Sequence, residues 1–269
     1  MKLQFIDTHA HLFGSDYPQD LDAVLNRAKE AGLQFIIVPG TNQKTSEEAL
    51  LLSEMYDFIF ACVGIHPHEA LNTKDEDLDQ IEKLSRHPKV VAIGEIGLDY
   101  YYDFTPKEKQ KMTFKAQLEI AARRKLPVVV HSRESMEDTF SIIRNLIDSQ
   151  NNFKNKDLYQ NRGVFHCFPG TQQEASIANE LGFFVSFPGI VTFKKSQSLD
   201  VIKHIGLQNI LLETDSPYMS PVPVRGKRNE PANIVFIAKK IASALNVSEN
   251  EVAAITSKNA ISLFNLPQE

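Results

Sequence analysis

The chain has 269 residues, 42% hydrophobic and 23% charged, with 29 Lys plus Arg against 34 Asp plus Glu and a net charge of −5. That composition supplies a real core and excludes a disordered chain, and barrel folds use this length as one domain, expected here over 1–269. The acidic balance excludes a broad basic face gripping duplex nucleic acid, because phosphate affinity rests on Lys and Arg. No apolar run approaches a membrane span, and the start MKLQFIDTHAHLFGSDY lacks a basic region leading into a cleavage site. A cytoplasmic protein with no membrane partner and no evident obligatory protein partner is expected. Cys62 and Cys167 lie in apolar runs without a CxxC partner, so both read as reduced packing residues.

Eight short apolar runs, at 3–7, 34–39, 58–64, 90–95, 128–131, 164–168, 183–187 and 209–212, predict strands. Between them the spacing predicts helices over 21–31, 47–55, 78–84, 107–124, 134–148, 172–181, 199–205 and 234–245, with an extra helix at 248–266 closing an end. Gly32, Gly182 and Gly206 stand just past helical stretches, where a left-handed terminating residue is wanted. Strand and helix alternating eight times predicts an α/β fold, a (β/α)8 TIM-like barrel, with a doubly wound sheet as the runner-up. The polar, Asn-rich stretch 149–162 reads as a surface insertion before the sixth strand, on the rim away from the chemistry.

The residues that follow the strands carry the functional signal. The first run ends in Asp7-Thr8-His9-Ala10-His11, and in extended chain residues two apart face the same way, so His9 and His11 share one space. The third leads into His66-Pro67-His68, the fourth into Glu95, the fifth into His131-Ser132-Arg133, the sixth holds His166 and the eighth leads into Asp215. In a barrel those strand ends converge on the rim where barrel enzymes keep their chemistry. Taken singly, each has a plainer explanation: a satisfied loop histidine, a structural ion pair at Glu95, a turn at Asp215-Ser216-Pro217. Jointly these explanations fail, because they must account separately for every member of one rim. Asp7 is expected to orient a neighbouring histidine rather than to ligate.

Histidine nitrogen with carboxylate oxygen and no thiolate suits Zn, Mn, Fe or Co. The donors are too many for one tetrahedral catalytic ion, so two divalent cations per chain sharing Glu95 are expected, about 3.5–4 Å apart. Ions so held acidify a water and neutralise charge on the attacked group, which is hydrolase chemistry.

The motifs DTHAHL at 7–12, GIHPHEA at 64–70, GEIGLDY at 94–100, VVVHSR at 128–133, FHCFPG at 165–170 and ETDSPYMSPVPVRGKRNEP at 213–231 are specific when taken together. Through them the sequence resembles the TatD-family metal-dependent hydrolases, the TatD-type deoxyribonucleases within the wider amidohydrolase-like barrels. The resemblance runs in order along nearly the whole chain. It implies a TIM-like barrel, His9, His11, Glu95, His131, His166 and Asp215 as metal ligands with Glu95 between the ions, and hydrolysis of phosphodiester bonds in DNA. It also associates the site with Mg, although a histidine-rich cage favours Zn or Mn. Two departures, Pro169 and Pro188 where small residues are expected, bear on loop shape rather than on the metals.

For the substrate, a DNA strand or another phosphodiester, His66 is assigned to a phosphate oxygen or the leaving group. Arg133 is assigned to a phosphate clamp, and Arg228 with Asn229 to a basic loop, 225–229, that grips the strand. The tyrosines Tyr100, Tyr101 and Tyr102 are candidates for stacking unpaired bases. Two other readings stand beside the nuclease. One is a hydrolase of another bond, such as an aminoacyl-tRNA ester or a small amide or lactone. The other is a non-catalytic metal-binding module.

Overall fold

The computed structural model describes residues 4–151 and 162–268. Eight parallel strands follow one another in chain order around a sheet: β1 (Phe5–Asp7), β2 (Leu33–Pro39), β3 (Ile59–Val63), β4 (Val90–Asp99), β5 (Val128–Arg133), β6 (Gly163–Phe165), β7 (Phe183–Phe187) and β8 (Ile210–Leu212). The helices between them are α1 (Leu21–Glu30), α2 (Gln43–Met55), α3 (Asp75–Leu84), α4 (Lys107–Arg124), α5 (Met136–Asn151), α6 (Gln172–Glu180), α7 (Ser198–Ile205) and α8 (Ile234–Leu245), and α9 (Glu249–Phe264) ends the chain. This is the (β/α)8 arrangement, and the doubly wound alternative falls because strand order never reverses.

Side-chain alternation divides the strands between two cores. Phe5, Ile36, Val38, Ile59, Ala61, Val63, Val130, Val185 and Leu212 face outward onto the helices. Their neighbours Ile6, Ile37, Phe60, Cys62, Val129, Val164 and Leu211 fill the barrel interior, where Leu263, Phe264 and Leu266 reach them from the α9 end. Ser257 Oγ donates to Gln4 O, and Asn259 Nδ2 to Leu207 O and Ile210 O, which pins α9 across the barrel floor. The expected end-closing helix is therefore the plug opposite the site. Cys62 is one of the interior packing residues, and burial pushes its thiol well up, so it is chemically inert.

The seam between first and last strands closes beyond the strands themselves. Thr8 N–H donates to Leu212 O (3.0 Å), Asp215 N–H to His9 O (2.9 Å) and His11 N–H to Ser216 O (2.7 Å). Closing the barrel and bringing His9 and His11 against Asp215 are thus one event.

Three helices, α2, α3 and α7, begin earlier than their apolar pattern, because polar residues form their first turns. At α2 the Asn42 side chain accepts from Thr45 N–H while Thr45 Oγ1 accepts from Asn42 N–H, and the helix starts at Gln43 rather than 47. The larger difference is in β4, which runs on to Asp99 instead of stopping at 95. Gly94 and Gly97 resemble turn punctuation, but Gly97 pairs with His131 at φ +144, and a Cβ there would lie 1.9 Å from His131 O. Glycine at that place permits strand contact instead of ending the strand. Of the expected insertion at 149–162, α5 takes up the start as far as Asn151, and 152–161 lie outside the described residues. Among the described residues no helix is long and apolar enough to cross a membrane.

Candidate metal centre and active site

The strand carboxyl ends surround an open cavity of about 680 Å³ lined by His11, His66, Glu95, Asp99, His131, Arg133, His166 and Asp215, among others. At its base His9 Nε2 and His11 Nε2 stand 3.2 Å apart, with Asp215 Oδ1 at 3.9 and 3.7 Å and Glu95 Oε2 at 3.5 and 3.8 Å. The other Glu95 oxygen, Oε1, lies 2.9 Å from His166 Nε2, 3.1 Å from His131 Nδ1 and 3.4 Å from His66 Nε2. One buried carboxylate thus faces two histidine groups, one with each oxygen.

The donor set fits divalent cations. Two imidazoles ligating one ion at about 2.1 Å would have their nitrogens roughly 3.0–3.4 Å apart, which is the separation of His9 and His11. Three groups, His9–His11–Asp215, His9–Glu95–His166 and His66–Glu95–His131, each bring one donor atom per residue within 4.8 Å of the others. Charge gives a separate argument. Asp7, Glu95, Asp99, Glu213 and Asp215 are all buried, and no Lys or Arg is buried among the described residues. Buried carboxylates need compensating positive charge, and of the rings around them only His166 and His131 are pushed toward protonation.

Burial pushes His11 down to about 4 and keeps His9 low as well, leaving nitrogen lone pairs for ligation, and it pushes His66 down to about 4. Burial also pushes Asp215 up to about 8. For Glu95, burial opposes charge but the surrounding His166 and His66 hold it well below the usual range. His166 is the counterpart: burial opposes its protonation, yet Glu95 lifts it to about 9.

Tautomers are set from behind the donors. Asp99 Oδ2 lies 3.0 Å from both His131 Nε2 and His68 Nε2. As an acceptor it fixes the His131 proton on Nε2 and turns the Nδ1 lone pair toward Glu95. His66 is the reverse case. Its Nδ1 accepts from His68 N–H (3.2 Å), so Nε2 carries the proton and faces the cavity as a donor. Glu213, fully buried, accepts from Cys167 N–H and Ser186 Oγ (2.6 Å each) and lies 3.9 Å from His166 Nδ1. Neither Asp99 nor Glu213 was singled out from sequence. The parity that pairs His9 with His11 also puts Glu213 on the Asp215 side, and Asp99 became visible only with the true length of β4.

Helix α4 holds two of the rim loops. Gln117 pairs its amide with both Ile65 N–H (2.7 Å) and Ile65 O (3.0 Å), and Gln110, seven residues earlier on the same face, does the same for Asp99 N–H (2.8 Å) and O (2.9 Å). Asp7 was expected to orient a histidine ring. It instead accepts from Thr214 N–H (2.9 Å) and Thr214 Oγ1 (2.6 Å), with a longer contact from His9 N–H (3.3 Å), so it braces the backbone on both sides of the seam. Cys167 is half-buried with φ 43, and burial pushes its thiol well up, against a thiolate nucleophile.

Two expected substrate contacts do not reach the site. Asn229 is fully buried, with Nδ2 donating to Thr214 O (2.9 Å) and Tyr218 O (2.7 Å), and Oδ1 accepting from Glu230 N–H (3.0 Å) and Asn233 Nδ2 (2.9 Å). Its hydrogen-bonding capacity is used in clamping the Asp215 loop. Arg228 is ion-paired with Asp20 and lies over the Tyr17 ring at 4.4 Å, outside the cavity lining. Chain proximity to Asp215 suggested both residues, but the loop turns their side chains away. Arg133 does line the cavity, its guanidinium 3.8 Å from the Tyr101 ring centroid. Neither Pro169 nor Pro188 is part of the lining.

A parallel barrel whose carboxyl rim gathers His9, His11, His66, Glu95, His131, His166 and Asp215 at the base of one cavity defines the class: a metal-dependent hydrolase. A family profile described as TatD related DNase matches residues 6–265, and the chain belongs to that family. It is 40% identical to the metal-dependent hydrolase YabD of Bacillus subtilis strain 168, over 97% of this chain and 98% of that one. It is 34% identical to the 3′-5′ ssDNA/RNA exonuclease TatD of Erwinia tasmaniensis, over 97% and 99%. The crystal structure of YJJV, a TatD homolog from Escherichia coli K12, superposes with a TM-score of 0.89 at 32% identity, covering 99% and 100% of the two chains.

Proposed function

We propose that this protein, as one domain over 1–269, hydrolyses phosphodiester bonds in DNA, acting on single strands or chain ends. The observation that carries the reading is Glu95, whose two oxygens face separate histidine groups at the base of a cavity that also holds an Arg. The 3′-5′ ssDNA/RNA exonuclease name of the Erwinia tasmaniensis relative supports the substrate class.

His9, His11 and Asp215 would hold one divalent ion, His131 and His166 the other, with Glu95 shared. Ions there would polarise the phosphate and make a water acidic enough to attack at neutral pH. Arg133 binds a phosphate oxygen, and the flat guanidinium held against Tyr101 favours bidentate contact. His66, its proton on Nε2, hydrogen-bonds the phosphate or the departing oxygen. Asp215 takes the proton released by the attacking water. Glu213 and Asp99 hold His166 and His131 in register behind this row.

The test is a substrate panel with purified protein, with and without added Mn²⁺, Zn²⁺ or Mg²⁺. Labelled single-stranded DNA and a simple phosphodiester should be cleaved only with metal. Cleavage of aminoacyl-tRNA or a lactone in their place would move the reading to another ester or amide, and no metal-dependent turnover of any kind would leave a metal-binding module.

A further inference from the structure

The cavity mouth carries exposed aromatic rings on two sides that the hydrolytic chemistry does not use. On one side Tyr102 and Phe104, 41% and 57% exposed, stack on each other with centroids 5.2 Å apart and planes 16° from parallel. On the other stands Tyr218, 57% exposed, in the loop after Asp215. The two walls lie at opposite ends of the histidine row. Tyr218 is 5.9 Å from the His11 ring, whereas Tyr102 and Phe104 are 5.3 and 4.8 Å from His68, which touches His66 at 4.4 Å. All three rings line the cavity.

The neighbouring tyrosines are otherwise engaged. Tyr100 donates to Asp138 Oδ2 (2.7 Å) beneath Lys107, and Tyr101 supports Arg133. The same guanidinium lies over the Tyr102 ring, 5.0 Å from its centroid, so an anion-binding group adjoins the exposed aromatic pair. The surface therefore reads ring, phosphate-binding centre, ring. A polynucleotide has that alternation, and its bases offer free faces only where the strand is unpaired. A small ester or lactone would use one wall at most.

Resting on the phosphodiesterase reading above, we infer that Tyr102 with Phe104, and Tyr218, are base-stacking subsites for the nucleobases on either side of the cleaved linkage. These subsites hold an unpaired strand by the base faces it exposes.

The experiment uses the full-length, metal-loaded protein and single strands carrying one abasic nucleotide on either side of the linkage to be cut, with kcat and KM measured separately. In the natural protein each abasic position should raise KM by about ten-fold, within the range of one lost base stack. In Tyr102→Ala/Phe104→Ala the penalty on one side should vanish while the other persists, and Tyr218→Ala should show the opposite pattern, with the main effect on KM in each case. Penalties that survive unchanged in both variants, or that are absent from the natural protein while it cleaves single strands, overturn the subsites and leave the hydrolase reading standing. Failure of the natural protein to cleave even methyl 4-nitrophenyl phosphate overturns both.

Discussion

Replacing Asp99 by asparagine keeps the shape of the side chain and reverses its hydrogen-bonding logic. Oδ1 accepts from the amides of Tyr101 (3.0 Å) and Tyr102 (3.2 Å), while Oδ2 accepts from His131 and His68. An asparagine oxygen retained by the two amides turns the NH2 group toward His131 Nε2. That nitrogen must then be an acceptor, and the His131 proton moves to Nδ1, where it points at Glu95 Oε1 3.1 Å away and no lone pair is left for an ion. Lost support of this kind costs about 10–100-fold in metal affinity, or about 1.4–2.7 kcal/mol. Competition with a chromophoric chelator, using Mn²⁺ or Zn²⁺, should show that loss for the ion held by His131 and His166. The affinity at His9, His11 and Asp215 should stay within about three-fold, since no bond from Asp99 reaches that group. Loss of equal size at both positions, or none at either, would refute the tautomer argument.

Other outcomes follow from the same geometry. Arg133→Ala should lower the salt dependence of single-strand binding by about 0.7 in log–log slope, one phosphate contact, whereas Arg228→Ala should leave the slope unchanged because Arg228 is spent on Asp20. Fluorescence anisotropy across a salt series checks both, and a matching drop in Arg228→Ala would return the phosphate contact to the 225–229 loop. In the metal-free protein Asp215 near 8 and His166 near 9 are both protonated at pH 7 and must deprotonate to ligate. Metal affinity should therefore rise with pH up to about 9 and weaken as pH falls, with about two to three protons released per chain at pH 7, because Asp99 and Glu95 raise His131 as well. Calorimetry in two buffers of different ionisation heat measures that number, and zero release would contradict the ligand set. Phe264→Ala opens the barrel floor and should cost about 3–5 kcal/mol in denaturant unfolding while metal content stays constant. A cost below about 1 kcal/mol would mean that α9 is not the plug.

The strands were legible because the barrel buries both their faces, and the apolar runs at 34–39, 58–64 and 183–187 have no other use. The ligands were legible because Glu95, His131 and His166 lie within the expected strands, and His9, His11 and Asp215 follow two, four and three residues beyond their ends. What escaped was whatever depends on direction rather than on order. Asn229 and Arg228 are near Asp215 along the chain, yet one is buried in a clamp and the other pairs with Asp20 at the start of the first helix. Asp99 escaped because glycine at 97 has two uses, turning a chain or letting two strands touch, and only the pairing with His131 distinguishes them. Phe104 and Tyr218 gave no signal, since nothing in an aromatic residue's spacing tells a buried ring from one at the mouth of a cavity.

The account's central claim is that Glu95 unites two ion positions in one hydrolytic centre. The most direct test is turnover of labelled single-stranded DNA by Glu95→Ala beside the natural protein, at matched Mn²⁺ and with the melting temperature of each recorded. The account predicts that cleavage falls to background while the barrel still melts cooperatively, because the interior core and the α9 floor do not involve Glu95. Near-normal turnover in the variant would contradict it.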